Sequence, residues 1–241
     1  MNAVKLALDC ENLNLKGLHC HIGSQIFETE PYKDAVEIMM NFMKEIKDQT
    51  GHIIPELDLG GGFGIHYTDE DKPREPKEYC EVILNKVDEV CSRLNIERPI
   101  LTIEPGRSIV GNAGITLYTI GAIKNIEGVR TYVSVDGGMT DNIRPALYGA
   151  KYEMAIANKI DEKANTRVAI AGKCCESGDI FIEDICIQKP EIGDILAVFS
   201  TGAYGFSMSS NYNKNPKAPV VFIKDGVVRL VSKRQSYEEL L

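Results

Sequence analysis

The segment Leu57-Asp58-Leu59-Gly60-Gly61-Gly62-Phe63-Gly64 constrains this chain more than any other. An apolar strand runs directly into three consecutive glycines. A residue without a Cβ takes positive φ freely and lets its N–H approach a bound anion closely. About 40 residues later Ile100-Leu101-Thr102-Ile103 ends in Glu104-Pro105-Gly106-Arg107, and about 40 residues earlier a third strand carries His19-Cys20-His21-Ile22-Gly23-Ser24. Three strand ends loaded with glycine or polar residues describe one site.

The pleat of these strands points to the architecture, because successive side chains face opposite ways. Leu18, Cys20 and Ile22 share a face and leave His19 and His21 on the other. Leu57 and Leu59 oppose Asp58, and Leu101 and Ile103 oppose Thr102 and Glu104. One face packs on helices and the other is polar, as on the inner surface of a β/α barrel, whose sites lie at the C-terminal strand ends. A doubly wound open sheet is the alternative, although its strands usually read apolar on both faces.

The helices between the strands are legible from apolar spacing. In 31–51, Val36, Met39, Met40, Met43 and Ile46 mark one face and Gly51 suits the C-terminal stop. In 76–94, Cys80, Ile83, Leu84, Val87, Val90, Cys91 and Leu94 recur at three and four residues. Beyond residue 112 the texture changes to short strands: 115–123, 129–135, 167–171, 180–188, 195–199, 219–223 and 227–231, with Asp225-Gly226 as a hairpin turn between the last two. The expected fold class is therefore α/β plus all-β. A partial (β/α)8 barrel over 1–112, with about three of its strand–helix units, precedes a β-barrel or sandwich domain over 113–241.

Composition excludes several classes. With 44% hydrophobic and 26% charged residues, the 241-residue chain reads as an ordinary globular protein of one large or two smaller domains. A net charge of −8 argues against nucleic acid or an anionic membrane surface as partner. No apolar run approaches the roughly 20 residues of a membrane span, and Met1–Leu8 carries a charge and no cleavage pattern, unlike a signal peptide. Seven cysteines (Cys10, Cys20, Cys80, Cys91, Cys174, Cys175 and Cys186) without a Cys-x-x-Cys pair suit a reducing cytoplasm.

Singly, each polar element is open to a plain reading. Gly60–Gly62 is a phosphate cradle or a tight turn. His19-x-His21 is a buried hydrogen-bonded pair or half of a metal site with no third ligand evident at a helpful spacing. Glu104 and Arg107 close a loop as an ion pair or serve a ligand. Cys174 and Cys175 pack or react.

Taken in order, the elements form a pattern: His21-Ile22-Gly23-Ser24-Gln25, Gly60-Gly61-Gly62-Phe63-Gly64, Glu104-Pro105-Gly106-Arg107, Asp136-Gly137-Gly138-Met139, Arg144-Pro145-Ala146-Leu147-Tyr148, Cys175-Glu176-Ser177-Gly178-Asp179 and Gly202-Ala203-Tyr204-Gly205. This succession resembles the diaminopimelate decarboxylases, of the alanine-racemase-type (fold type III) pyridoxal-phosphate enzymes, over essentially the whole chain. Ornithine and arginine decarboxylases share the histidine, glycine, EPGR and CESGD elements. The Arg-Pro-Ala-Leu-Tyr segment and the His-Ile-Gly-Ser-Gln form favour the diaminopimelate branch.

The resemblance implies decarboxylation of meso-2,6-diaminopimelate to L-lysine and CO2 with pyridoxal 5'-phosphate. His21 is implied on the pyridine face, and Ser24, Gly60, Gly61, Gly62 and Tyr204 on the phosphate, with Pro105, Gly106 and Arg107 close by. Glu104 is implied at the pyridine nitrogen, where a carboxylate keeps that nitrogen protonated. Arg107, Arg144, Tyr148 and Tyr204 are implied on the substrate, with guanidinium forks suited to a carboxylate. Glu176 is implied at the distal ammonium, and Cys175 as the acid that protonates Cα, a thiol of ordinary pKa about 8.5 being protonated at neutral pH. Cys174 has no implied role beyond packing.

In the family the Cys175–Glu176 loop enters the site of a second subunit, so a homodimer is implied. The family's Schiff-base lysine, in a Tyr-Ala-x-Lys strand upstream of His21, has no counterpart here; Ala3-Val4-Lys5 runs on as a helix. The expectation is thus a C-terminal portion, inactive alone, completed by an N-terminal segment. A non-catalytic cofactor- or partner-binding remnant, and a decarboxylase of another basic amino acid, are the other expectations.

Overall fold

The computed structural model describes residues 1–241 and divides into two compact units, Met1–Val110 and Gly111–Leu241. No helix is long and apolar enough to cross a membrane.

The first unit begins with α1 (Asn2–Asp9), which places Lys5 on an exposed face. Three short parallel strands follow, β1 (Gly17–His19), β2 (Glu56–Asp58) and β3 (Ile100–Thr102), paired in that order. Their register sets Leu18 beside Leu57 beside Leu101, and His19 beside Asp58 beside Thr102. The leucine row meets the core, where Leu57 is fully buried, so the polar row faces away from the helices as the pleat requires. Ile22 departs from the expected alternation. It lies beyond the end of β1 and is exposed.

The helices α2 (Glu30–Thr50) and α3 (Pro76–Leu94) cover the leucine face. In α2 the buried residues are Tyr32, Ala35, Val36, Met40, Met43 and Ile46, at the three- and four-residue spacing of one helical face. Gly51 ends this helix in the left-handed region at φ 72°. In α3, a capping box between Glu75 and Glu78 satisfies the first turn, and Tyr79, Ile83, Val87 and Val90 are buried. Leu84, expected on that face, is displaced round the helix and exposed. Tyr32, Tyr79 and Phe63 then form an aromatic cluster: Phe63 stacks on Tyr79 at 4.4 Å and Tyr32 meets both edge-on. Phe63 follows the glycine run directly, so this cluster pins the site loop to the helices.

A short helix, α4 (Gly106–Val110), closes the first unit. The second unit is mostly β. Its six-stranded sheet comprises β4 (Thr116–Ile126), β5 (Arg130–Val135), β6 (Met154–Ile156), β7 (Thr166–Ala171), β8 (Ile180–Ile187) and β9 (Ile195–Val198), in the order β6-β9-β4-β5-β7-β8. The β5–β7 pairing is parallel and the others are antiparallel. Two short helices, α5 (Arg144–Tyr148) and α6 (Gly205–Met208), lie in the connections. The chain ends in a hairpin of β10 (Val220–Lys224) and β11 (Val227–Ser232). Asp225 and Gly226 both take positive φ, as a two-residue hairpin turn demands.

Candidate active site

The polar ends of β1, β2 and β3 converge because the ladder continues past the regular strands. Cys20 N–H donates to Asp58 O at 2.9 Å, Leu59 N–H to Thr102 O at 3.1 Å, and Glu104 N–H to Gly60 O at 2.7 Å. This close approach explains the glycines. A Cβ on Gly60 would lie 2.6 Å from Cys20 O, on Gly61 2.0 Å from Glu104 O, and on Gly62 2.4 Å from Gly23 O. Gly60 and Gly62 also take positive φ.

Two of the three glycine amides have acceptors within the protein. Gly60 N–H donates to Asp58 Oδ1 at 2.8 Å and Gly61 N–H to His21 Nδ1 at 3.4 Å, which leaves the Gly62 N–H without a protein acceptor. The Gly61 contact makes His21 Nδ1 an acceptor, so the neutral ring carries its proton on Nε2. Tyr32 OH donates to Gly61 O at 3.0 Å and fixes the loop from below.

Arg107, in α4, is only 7% exposed. Its Nη2 and Nε donate to Ser24 Oγ at 2.8 and 3.3 Å, and Nη1 donates to Tyr67 OH. Neutral hydroxyls thus orient the planar fork of a guanidinium, a group whose geometry matches the oxygens of a phosphate or carboxylate. Glu104 Oε2 lies 3.2 Å from His19 Nε2, with both side chains about half exposed. His19, Asp58 and Glu104 place one ligand atom each within 4.8 Å of one another, so the spacing argument missed two acids that the sheet brings beside His19.

The second unit gathers the remaining predicted residues into two groups. Arg144 donates through Nε to Tyr152 OH at 3.0 Å, and its guanidinium lies over the rings of Tyr148 at 5.3 Å and Tyr204 at 5.8 Å. The α5 segment ends at Gly149 in the left-handed region, so Arg144 and Tyr148 project from one tight turn of helix. Cys175 is exposed on the loop between β7 and β8, and Glu176 beside it accepts a hydrogen bond from Tyr212 OH. That bond raises the Tyr212 pKa above its ordinary value, since ionising the phenol would set two negative charges together. Burial likewise raises the Cys174 thiol, with Asp179 adding to it.

Residues 1–111 match the family model described as the pyridoxal binding domain of pyridoxal-dependent decarboxylases. Diaminopimelate decarboxylase of Bacillus subtilis (strain 168) is 52% identical over 239 residues, covering 99% of this chain and 54% of that protein. The enzyme of Bacillus methanolicus is 51% identical, covering 97% and 54%. Over residues 1–111 the chain is thus similar to the pyridoxal-dependent decarboxylases. Its fold is also that of a solved structure: the crystal structure of diaminopimelate decarboxylase from M. jannaschii in co-complex with L-lysine superposes with TM-score 0.91 at 37% identity, covering all of this chain and 54% of that one. The chain spans about half the length of the curated relatives it matches.

Within residues 1–111, the structure brings His21, Ser24, Gly60, Gly61, Gly62, Glu104, Pro105, Gly106 and Arg107 to one end of one sheet. In the second unit it joins Arg144, Tyr148 and Tyr204, and places Cys175 and Glu176 on a separate loop. Sequence reasoning missed Tyr67, Tyr152 and Tyr212, phenols that meet Arg107, Arg144 and Glu176 from 40, 8 and 36 residues away.

Proposed function

We propose that this chain supplies the cofactor-ring, phosphate and substrate contacts of a pyridoxal-phosphate-dependent decarboxylase that converts meso-2,6-diaminopimelate to L-lysine and CO2. The proposal places it in the cytoplasm, as a homodimer completed by the family's lysine-bearing segment. It takes residues 1–112 as an arc of a (β/α)8 barrel and 113–241 as the β domain.

The observation that carries it is the donor set at the strand ends. A buried guanidinium, a serine hydroxyl at 2.8 Å from it and an unused glycine N–H suit a phosphate, while a half-exposed carboxylate on the adjoining strand suits a protonated ring nitrogen. These residues fit pyridoxal phosphate. When bound, the cofactor supplies an electron sink for the pair left behind by departing CO2.

The chain's own residues do the rest. Ser24, Gly62 and Arg107 hold the phosphate. Glu104 holds a proton at the pyridine nitrogen, and His21 covers the ring face. Arg144, with Tyr148 and Tyr204, binds a substrate carboxylate, and Glu176 binds the distal ammonium. Cys175 gives its Sγ proton to Cα after CO2 has left.

Titration of pyridoxal phosphate into the protein, followed by its visible absorbance, tests the reading. Saturable binding that weakens in Ser24→Ala and Arg107→Met is expected. Absence of binding, or binding indifferent to both substitutions, overturns it. In protein that turns over, CO2 release from meso-diaminopimelate in preference to ornithine or arginine decides the substrate.

A further inference from the structure

The loop that carries Cys175 and Glu176 has few contacts of its own, since Cys175, Glu176, Ser177 and Gly178 are all exposed. Asp179, the next residue, is only 4% exposed. We propose that Asp179 is a positioning residue: its carboxylate latches the Cys175–Glu176 loop to the Gly137–Met139 turn and so sets where the thiol and the glutamate stand.

The geometry is a bridge with one oxygen on each side. Asp179 Oδ1 accepts the Met139 N–H at 2.6 Å, and Oδ2 accepts the Cys174 N–H at 2.7 Å. The main chain closes the same ring. Asp179 N–H donates to Glu176 O at 3.0 Å, Gly172 N–H donates to Asp179 O at 2.8 Å, and Lys173 N–H donates to Gly137 O at 2.8 Å. Cys175 and Glu176 therefore sit on a loop whose two feet are tied to one buried side chain.

The slot for that carboxylate is kept open by two glycines from different segments. A Cβ on Gly138 would lie 2.5 Å from an Asp179 carboxylate oxygen, and one on Gly172 2.2 Å from it. Buried acids without partners are costly, and this one persists because two amide donors meet it. An asparagine fills the same space but turns one acceptor into a donor facing an N–H, so one side of the bridge must open.

This inference rests on the catalytic reading of Cys175 and Glu176, and its test is independent of turnover. In the folded protein, Asp179→Asn should raise the hydrogen-exchange rate of the Met139 and Cys174 amides, the two that its carboxylate accepts, by at least about fivefold, as expected when local opening replaces a latched state. The Val133 and Ile170 amides, in β5 and β7, serve as internal references and should keep their rates. Hydrogen exchange in the unsubstituted protein gives a second measurement should the variant fold poorly. The Met139 and Cys174 amides should be protected and share one opening rate, far slower than Ser177.

Unchanged exchange of the Met139 and Cys174 amides in folded Asp179→Asn, or a Cys174 amide that exchanges as fast as Ser177 in the unsubstituted protein, overturns the latch. Failure of pyridoxal phosphate to bind the unsubstituted protein would instead remove the catalytic reading and leave the latch standing on its own measurements.

Discussion

Arg107 reaches Ser24 Oγ with two of its nitrogens, at 2.8 and 3.3 Å, from a position 83 residues further along the chain. Its third nitrogen is held by Tyr67. Two hydroxyls thus hold the fork of a buried cation in one orientation.

Arg107→Lys should therefore be damaging despite keeping the charge. A lysine cannot serve Ser24 and Tyr67 at once, and its ammonium is a point rather than a fork. We expect inorganic phosphate and pyridoxal phosphate to bind about tenfold more weakly, with a stability loss of about 1–2 kcal/mol from the unmet hydroxyls. Isothermal titration and thermal melts measure the two. Unchanged phosphate affinity would take Arg107 out of the site.

Gly61→Ala should be far worse than Gly51→Ala, although both put a methyl on a glycine. At Gly51 nothing lies within 4 Å, so the cost is the left-handed φ alone, about 1 kcal/mol. At Gly61 the methyl would sit 2.0 Å from the Glu104 carbonyl, and two strand ends must separate. A loss above about 3 kcal/mol is expected there. Comparable melting temperatures for the two variants would refute the crowding account.

That contrast marks what a sequence can and cannot disclose. The glycine run, the polar row on three strands, the two amphipathic helices and the Asp225-Gly226 turn are local patterns of pleat, helical period and φ, and each was legible. The reason for the glycines was not, because the carbonyls that exclude a Cβ come from Cys20, Glu104 and Gly23. Strand β6 was missed because Met154–Ile156 is too short to show alternation. Tyr67 and Tyr212 gave no signal, since their partners Arg107 and Glu176 lie 40 and 36 residues away.

Tyr118 offers a stability test in the second unit. It is 5% exposed and its hydroxyl has no hydrogen-bond partner. Burial, with Asp141, Asp136 and Asp179 nearby, raises its pKa well above the ordinary value. Tyr118→Phe should stabilise the protein by about 1 kcal/mol by removing an unsatisfied polar group. The pH dependence follows from the raised pKa. The unfolded phenol ionises near about pH 10 while the folded one stays protonated, so its contribution is intact below that pH and is lost as pH rises beyond it. Denaturant melts across the alkaline range should fall less steeply for the phenylalanine variant. Parallel curves would show that Tyr118 stays out of the titration.

Tyr212 and Glu176 provide the sharpest test of substrate binding. The phenol donates to Glu176 Oε1 and leaves the second carboxylate oxygen to other partners. On the proposed reading, that oxygen meets the distal ammonium of the substrate, and Tyr212 holds it in place. Tyr212→Phe keeps the ring and the charge of Glu176 but frees its rotation. In protein competent for turnover, KM for meso-diaminopimelate should rise about tenfold while kcat stays within about twofold, the pattern of a lost binding contact rather than a lost proton donor. Cys175→Ser should do the reverse, lowering kcat with little change in KM, because on the same proposal its thiol acts after the substrate is bound. A kcat loss in Tyr212→Phe as large as that in Cys175→Ser would place Glu176 in the chemistry and not in recognition.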